Sequence, residues 1–182
     1  QSLAIRCPDE ALLREESDRA AAAIGDGIVR MTVTRGIGPR GYAIPVRTQP
    51  VRIVAGFPAD MPALADAVQV RWCDLRLSRQ PRLAGIKHLN RLENVLARSE
   101  WRDPTIAEGL LRDERGDVIG GTMSNLFILE GDKLITPDLS QCGVAGVARA
   151  RLLRAAARHE VQSSIEAVNA ERLLKADQVF LC

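Results

Sequence analysis

The chain has 182 residues with a formal net charge of +2, and 46% of them are apolar. That is enough apolar material for one core or two small ones. The near-balance of interleaved arginines and acids argues against nucleic acid or an anionic membrane as partner. No run approaches the ~18 apolar residues that a membrane-spanning helix needs.

Residues 8–24 are predicted to be a helix, with Pro8 near its first turn, acids early and Gly25 closing it. Residues 28–34 alternate as a strand, and 50–55 form a second. Between them, residues 35–42 hold three glycines and a proline, a loop that turns the chain back. Residues 57–66, with two prolines, are the expected boundary. This gives a smaller α+β domain over 1–60 and a larger one over 61–182. The larger domain opens on an alternating strand at 68–77. Residues 108–113 and 118 onward form a hairpin around Arg115-Gly116-Asp117, and 125–129 with 133–136 form another around Gly131-Asp132. A helix over 147–159 repeats Val147, Leu152, Leu153 and Ala156 on one face. A strand near 161–165, a helix over 169–176 and a strand at 179–181 follow.

The segment 84–101, AGIKHLNRLENVLARSEW, carries the chemical signal. Leu89, Leu92, Val95 and Leu96 share one helical face, which predicts packing on a core. Lys87 stands at the start of that helix. It is one of only three lysines, with Lys133 and Lys175, against 22 arginines. Flanking Ala84, Gly85 and Ile86 predict partial burial, which weakens the reading of a plain surface charge and suits an amine nucleophile. His88 and His159 lie too far apart in sequence and setting for a His-based triad or metal site. Cys7, Cys73, Cys142 and Cys182 show no metal-ligand spacing and fit reduced thiols of a cytoplasmic protein. Gln1 is no initiator and DQVFLC stops inside an apolar strand, so both ends look cut.

Residues 143–148, GVAGVA, precede a helix. Such a start is either an anion site or simply a loop entering a helix. Arg40, after Gly38-Pro39, suits bidentate carboxylate binding or is a surface charge. Tyr42 either lines the same pocket or only packs. Asn125 is a hydrogen-bonding group near a ligand or a strand-start cap.

The segment AGIKHLNRLENVLAR, with TRGIGPRGY before it and GGTMSNLF and CGVAGVARARLL after it, resembles the fold-type IV pyridoxal-phosphate enzymes, most closely the aminodeoxychorismate lyases. The resemblance implies an α/β (α+β) fold: a small α+β domain and a larger mixed-sheet pseudo-barrel domain. It implies pyridoxal 5'-phosphate bound covalently at Lys87, its phosphate on the backbone of Val147 and Ala148 beyond Gly146, Val144 on a ring face, and Asn125 nearby. Ala148 stands where relatives often have a hydroxyl residue. Arg40 and Tyr42 would bind the substrate carboxylate, in a homodimer. The implied reaction converts 4-amino-4-deoxychorismate to 4-aminobenzoate and pyruvate in folate synthesis. Alternatives are a D-amino-acid or branched-chain aminotransferase, or an impaired member. The last arises because both ends look cut and because Gly120 stands where the family has an acid for the pyridine nitrogen, with Glu108 and Asp117 as substitutes to inspect.

Overall fold

The computed structural model describes residues 3–59 and 67–182. The chain divides into two compact units, Gln1–Ala65 and Asp66–Cys182. Residues 60–66 of the expected boundary lie outside the described residues.

In the first unit, helix α1 (Glu10–Ile24) starts one residue after Asp9, whose carboxylate accepts from Ala11 N (2.8 Å) and Leu12 N (3.3 Å). That side-chain cap satisfies amides with no partner inside the helix. Strands β1 (Gly27–Thr34) and β2 (Val51–Pro58) pair antiparallel from Gly27↔Pro58 to Thr34↔Val51. The second strand runs three residues beyond the expected stretch, so Phe57 and Pro58 belong to it and not to a linker. α1 lies close on β2: a Cβ on Gly56 would sit 2.7 Å from Ile24 Cγ2. Arg52 adds a two-pronged ion pair to Glu16 at 2.9 Å.

The second unit contains two mixed sheets. In the first, β3 (Gln69–Leu77) runs parallel to β4 (Ile106–Asp113), which pairs antiparallel with β5 (Val118–Gly121). Between β3 and β4 lies the short helix α2 (Leu92–Arg98). The second sheet holds β6 (Leu126–Glu130), β7 (Lys133–Pro137), β8 (Ser163–Glu166) and β9 (Gln178–Leu181), in the order β8-β7-β6-β9. Helices α3 (Val147–Arg158) and α4 (Ala170–Lys175) flank β8 in sequence. One core cluster joins Cys73, Leu77, Ala97, Trp101, Leu111 and Ile119; the other joins Leu110, Val118, Leu126, Ile128, Ile135 and Val168.

Two helix faces differ from expectation. The helix expected around Lys87 is confined to 92–98, and Leu89, Leu92, Val95 and Leu96 are exposed. α2 docks instead through Ala97, fully buried, whose small side chain allows close approach to the sheet. On α3, Val147 is exposed and the inward face is Arg149, Leu152, Leu153 and Ala156, at i, i+3, i+4 and i+7. Arg149 tolerates burial because it donates to Thr136 Oγ1 (3.0 Å) and Pro137 O (2.9 Å).

Candidate active site

Three segments of the second unit meet at one point. The first is the stretch leading to Lys87. Gly85, at φ +78°, pairs with Val144 as a parallel bridge. Its N–H donates to Gly143 O (3.0 Å), and its carbonyl accepts from Ala145 N (3.1 Å). A positive φ is natural for glycine and strained for other residues. The chain therefore leaves the 143–145 loop two residues before Lys87, and the lysine follows outside any helix or strand.

Burial of Lys87 is not observed: the residue is exposed, because the bridge ends at Gly85 and the half-buried side chains are those of Ala84 and Ile86. Its backbone is nevertheless fixed. Arg91 reaches back from the start of α2 and donates to Ile86 O, and His88 N donates to the same carbonyl at 3.0 Å. Burial, and then the Arg91 guanidinium, hold His88 below its ordinary value, and its Nδ1 is buried without a hydrogen-bond partner. That imidazole is therefore a packing group with its neutral form favoured.

The second segment is the 143–148 loop. Gly143 has φ +86°, and a Cβ there would lie 2.6 Å from Ile119 Cγ2, so the loop is pressed onto β5. Gly146 is the N-cap of α3 and supplies no side-chain cap. The first-turn amides of Val147 and Ala148 are thus left without a side-chain acceptor, at the positive end of the helix dipole. Val147 and Ala148 are both exposed and open onto a groove of about 660 Å³ along α3, shared with Arg151, Leu152 and Arg154.

The third segment is the turn from β5 to β6. Asn125 Nδ2 donates to Val144 O (2.7 Å), and its Oδ1 accepts from Gly146 N (3.0 Å). One side-chain amide thus spans the loop where it enters α3. A side chain at Gly146 would displace this amide, since a Cβ would lie 2.3 Å from Asn125 Oδ1. The bridging role of Asn125 is legible only in space, because Val144 and Gly146 lie some 20 residues away.

Neither acid proposed to substitute at Gly120 is free to do so. Glu108 is buried, and its two oxygens accept five hydrogen bonds from residues 109 and 122–124. Asp117 sits in the β4–β5 turn at the opposite end of β5, where its backbone pairs with Asp113. Gly120 itself has φ +157°, and a Cβ would meet Ser124 O at 2.9 Å.

Arg40 and Tyr42 belong to the first unit, in the 35–50 loop that joins β1 to β2; Arg40 is exposed and Tyr42 is fully in solvent. The base of that loop is drawn tight: a Cβ on Gly36 would lie 2.0 Å from Gln49 O. At full exposure, Tyr42 packs on no described residue of this unit.

The sequence model for the amino-transferase class IV family matches residues 2–182. The chain belongs to this family. Within it, an aminodeoxychorismate lyase of Vibrio harveyi is 36% identical over 157 residues, 85% of this chain and 58% of that protein. The crystal structure of a 4-amino-4-deoxychorismate lyase from Pseudomonas aeruginosa superposes with a TM-score of 0.91 at 47% identity, covering 100% of this chain and 68% of that one. A D-alanine aminotransferase of Bacillus licheniformis is 28% identical over 167 residues, 86% of this chain and 54% of its own. The chain thus spans little more than half the length of these curated relatives. The mixed α/β architecture, with both mixed sheets in the second unit, is the fold-type IV fold of this family.

Proposed function

We propose that the complete protein is a pyridoxal-phosphate lyase that converts 4-amino-4-deoxychorismate to 4-aminobenzoate and pyruvate, in the cytoplasm and as a homodimer. The observation that carries this reading is the Gly85–Val144 bridge, which ties the lysine segment to a loop that opens a helix. The higher identity to the two lyases than to the aminotransferase supports the choice of reaction.

The phosphate fits the residues present. Uncapped amides at the start of α3, glycines at 143 and 146, and the dipole of a helix together favour an anion. In this reading Val147 and Ala148 donate backbone N–H groups to it, Val144 packs on a ring face, and Asn125 holds the loop in shape. With alanine at 148, one side-chain hydrogen bond to the phosphate is missing. The cofactor, when bound, supplies the electron-withdrawing system that stabilises negative charge at the substrate carbon.

Lys87 contributes a primary amine for the covalent link. Released by exchange with the substrate's own amine, it takes the proton from the adjoining carbon and returns one to the departing three-carbon product. A single positioned amine can thus act as nucleophile, base and acid in turn. Arg40 provides a planar, permanently charged fork for a substrate carboxylate, with Tyr42 beside it. No acid stands at Gly120 to hold a proton on the ring nitrogen, which favours an elimination driven by product aromatisation over transamination.

Pyruvate release from 4-amino-4-deoxychorismate tests the proposal, with keto-acid exchange on D-alanine and branched-chain amino acids run in parallel. Pyruvate without exchange is expected. Exchange without pyruvate would favour an aminotransferase. Neither activity in a cofactor-loaded dimer would favour the impaired member that Gly120 suggests.

A further inference from the structure

Glu108 is an acid on β4 between Ala107 and Gly109, only 5% exposed. Among the described residues it forms no salt bridge. An isolated carboxylate at this depth is costly unless fixed donors surround it. Oε1 accepts from Gly109 N (2.9 Å), Thr122 N (2.9 Å) and Thr122 Oγ1 (2.5 Å). Oε2 accepts from Met123 N (3.1 Å) and Ser124 Oγ (2.9 Å). Four of the five donors belong to the turn that delivers Asn125.

The packing around this carboxylate leaves no slack. A Cβ on Gly121 would lie 2.3 Å from Ser124 Oγ and 2.6 Å from Glu108 Oε2. Asn94 Nδ2, from α2, donates to Thr122 O (2.9 Å) on the other side of the turn. The next residue after the turn is Asn125, whose amide spans Val144 O and Gly146 N.

We propose that Glu108 is a positioning residue for the 143–148 loop. Its carboxylate gathers the 122–124 turn, the turn aims the Asn125 amide, and that amide holds the loop open for the phosphate group of pyridoxal phosphate. The step from loop to ligand rests on the function proposed above; the step from Glu108 to loop does not. Glutamine at 108 keeps shape and volume but turns an amide donor toward at least one backbone N–H, so it breaks the cluster without emptying it.

Amide hydrogen exchange on the ligand-free protein reads the clamp directly. In Glu108→Gln, exchange is expected to quicken at Thr122 and Met123 and, about threefold or more, at Gly146. In Asn125→Ala it should quicken at Gly146 while Thr122 keeps its rate. Leu134, bonded between β7 and β8 to Gln162 O, reports that the fold is intact. Ser124→Ala removes one donor and gives a milder version of the same pattern should Glu108→Gln fold poorly. An unchanged Gly146 in a variant whose Thr122 has quickened overturns the proposal.

The second arm is pyridoxal-phosphate affinity. Glu108→Gln and Asn125→Ala should each weaken it about tenfold. The double variant should be no weaker than Asn125→Ala alone, whereas a purely structural Glu108 would give losses that multiply. Multiplying losses overturn the proposal. Quickened Gly146 exchange with unchanged affinity upholds the clamp and overturns the assignment of the loop to the phosphate.

Discussion

Gly85 and Val144 lie side by side as neighbouring strands do, although 59 residues separate them, and the Gly85 backbone uses both its N–H and its carbonyl on the 143–145 loop. This relationship sets where Lys87 starts. It depends on a residue that accepts φ +78°.

Gly85→Ala is therefore expected to cost about 1 kcal/mol of stability, through backbone strain rather than collision. The new Cβ would meet Ala145 Cβ at 3.6 Å, an ordinary contact. Urea denaturation of both proteins, with and without pyridoxal phosphate, checks this. The cofactor should protect the variant less than the parent, since the strained bridge lies between lysine and loop.

Gly120→Glu tests the missing acid. A restored ring partner would by itself raise the rate of proton removal, by the worth of a charge-assisted hydrogen bond. The structure opposes this, because the Cβ would sit 2.9 Å from Ser124 O, which also accepts from Gly121 N. Moving that carbonyl disturbs the turn that Glu108 holds. The expected outcome is a loss of about 1–3 kcal/mol in stability and no faster proton removal. Denaturation and single-turnover kinetics on the same preparation measure both.

Much of the architecture was legible because local patterns and tertiary packing agree. The β4–β5 hairpin follows from its Arg115-Gly116-Asp117 turn, and α3 from apolar spacing after Gly146. The stretch around Lys87 was misread where the two conflict. Its periodicity is helical from Leu89 on, but backbone bonds from Gly85, Ile86 and Leu89 hold the first part as loop, and helix begins at Leu92. Periodicity also named an apolar face on α2 without revealing that Ala97 would be its anchor. In the sequence Glu108 stands out only as a spare acid. Its placement as the centre of a donor cluster depends on β4 lying beside β5, which no local pattern encodes. The sequence signal available was a lone glutamate between apolar strand positions.

Acid sensitivity should map to Glu166. Lys133 Nζ at 2.5 Å, Ser164 Oγ at 2.6 Å and Arg172 at 2.7 Å donate to it, and the lysine first among them pulls its carboxyl from 4.5 down to about 2. A carboxylate whose pKa is lowered by folding adds stability that is present above about 4.5 and fades as pH falls toward about 2. Glu166→Gln should therefore flatten the dependence of melting temperature on pH across that window. Salt should shrink the difference, since the group is partly in solvent. Parallel melting curves from pH 5 to about pH 2 give the comparison.

The central claim is that Lys87 is the cofactor lysine of a family member whose loop and lysine are held together by Gly85. Borohydride reduction of the protein incubated with pyridoxal phosphate, followed by peptide mass spectrometry, tests it most directly. The account predicts a single phosphopyridoxyl label, on Lys87, abolished in Lys87→Ala. Labelling of Lys133 or Lys175 in preference to Lys87, or label that survives in Lys87→Ala at the parent's level, would contradict it.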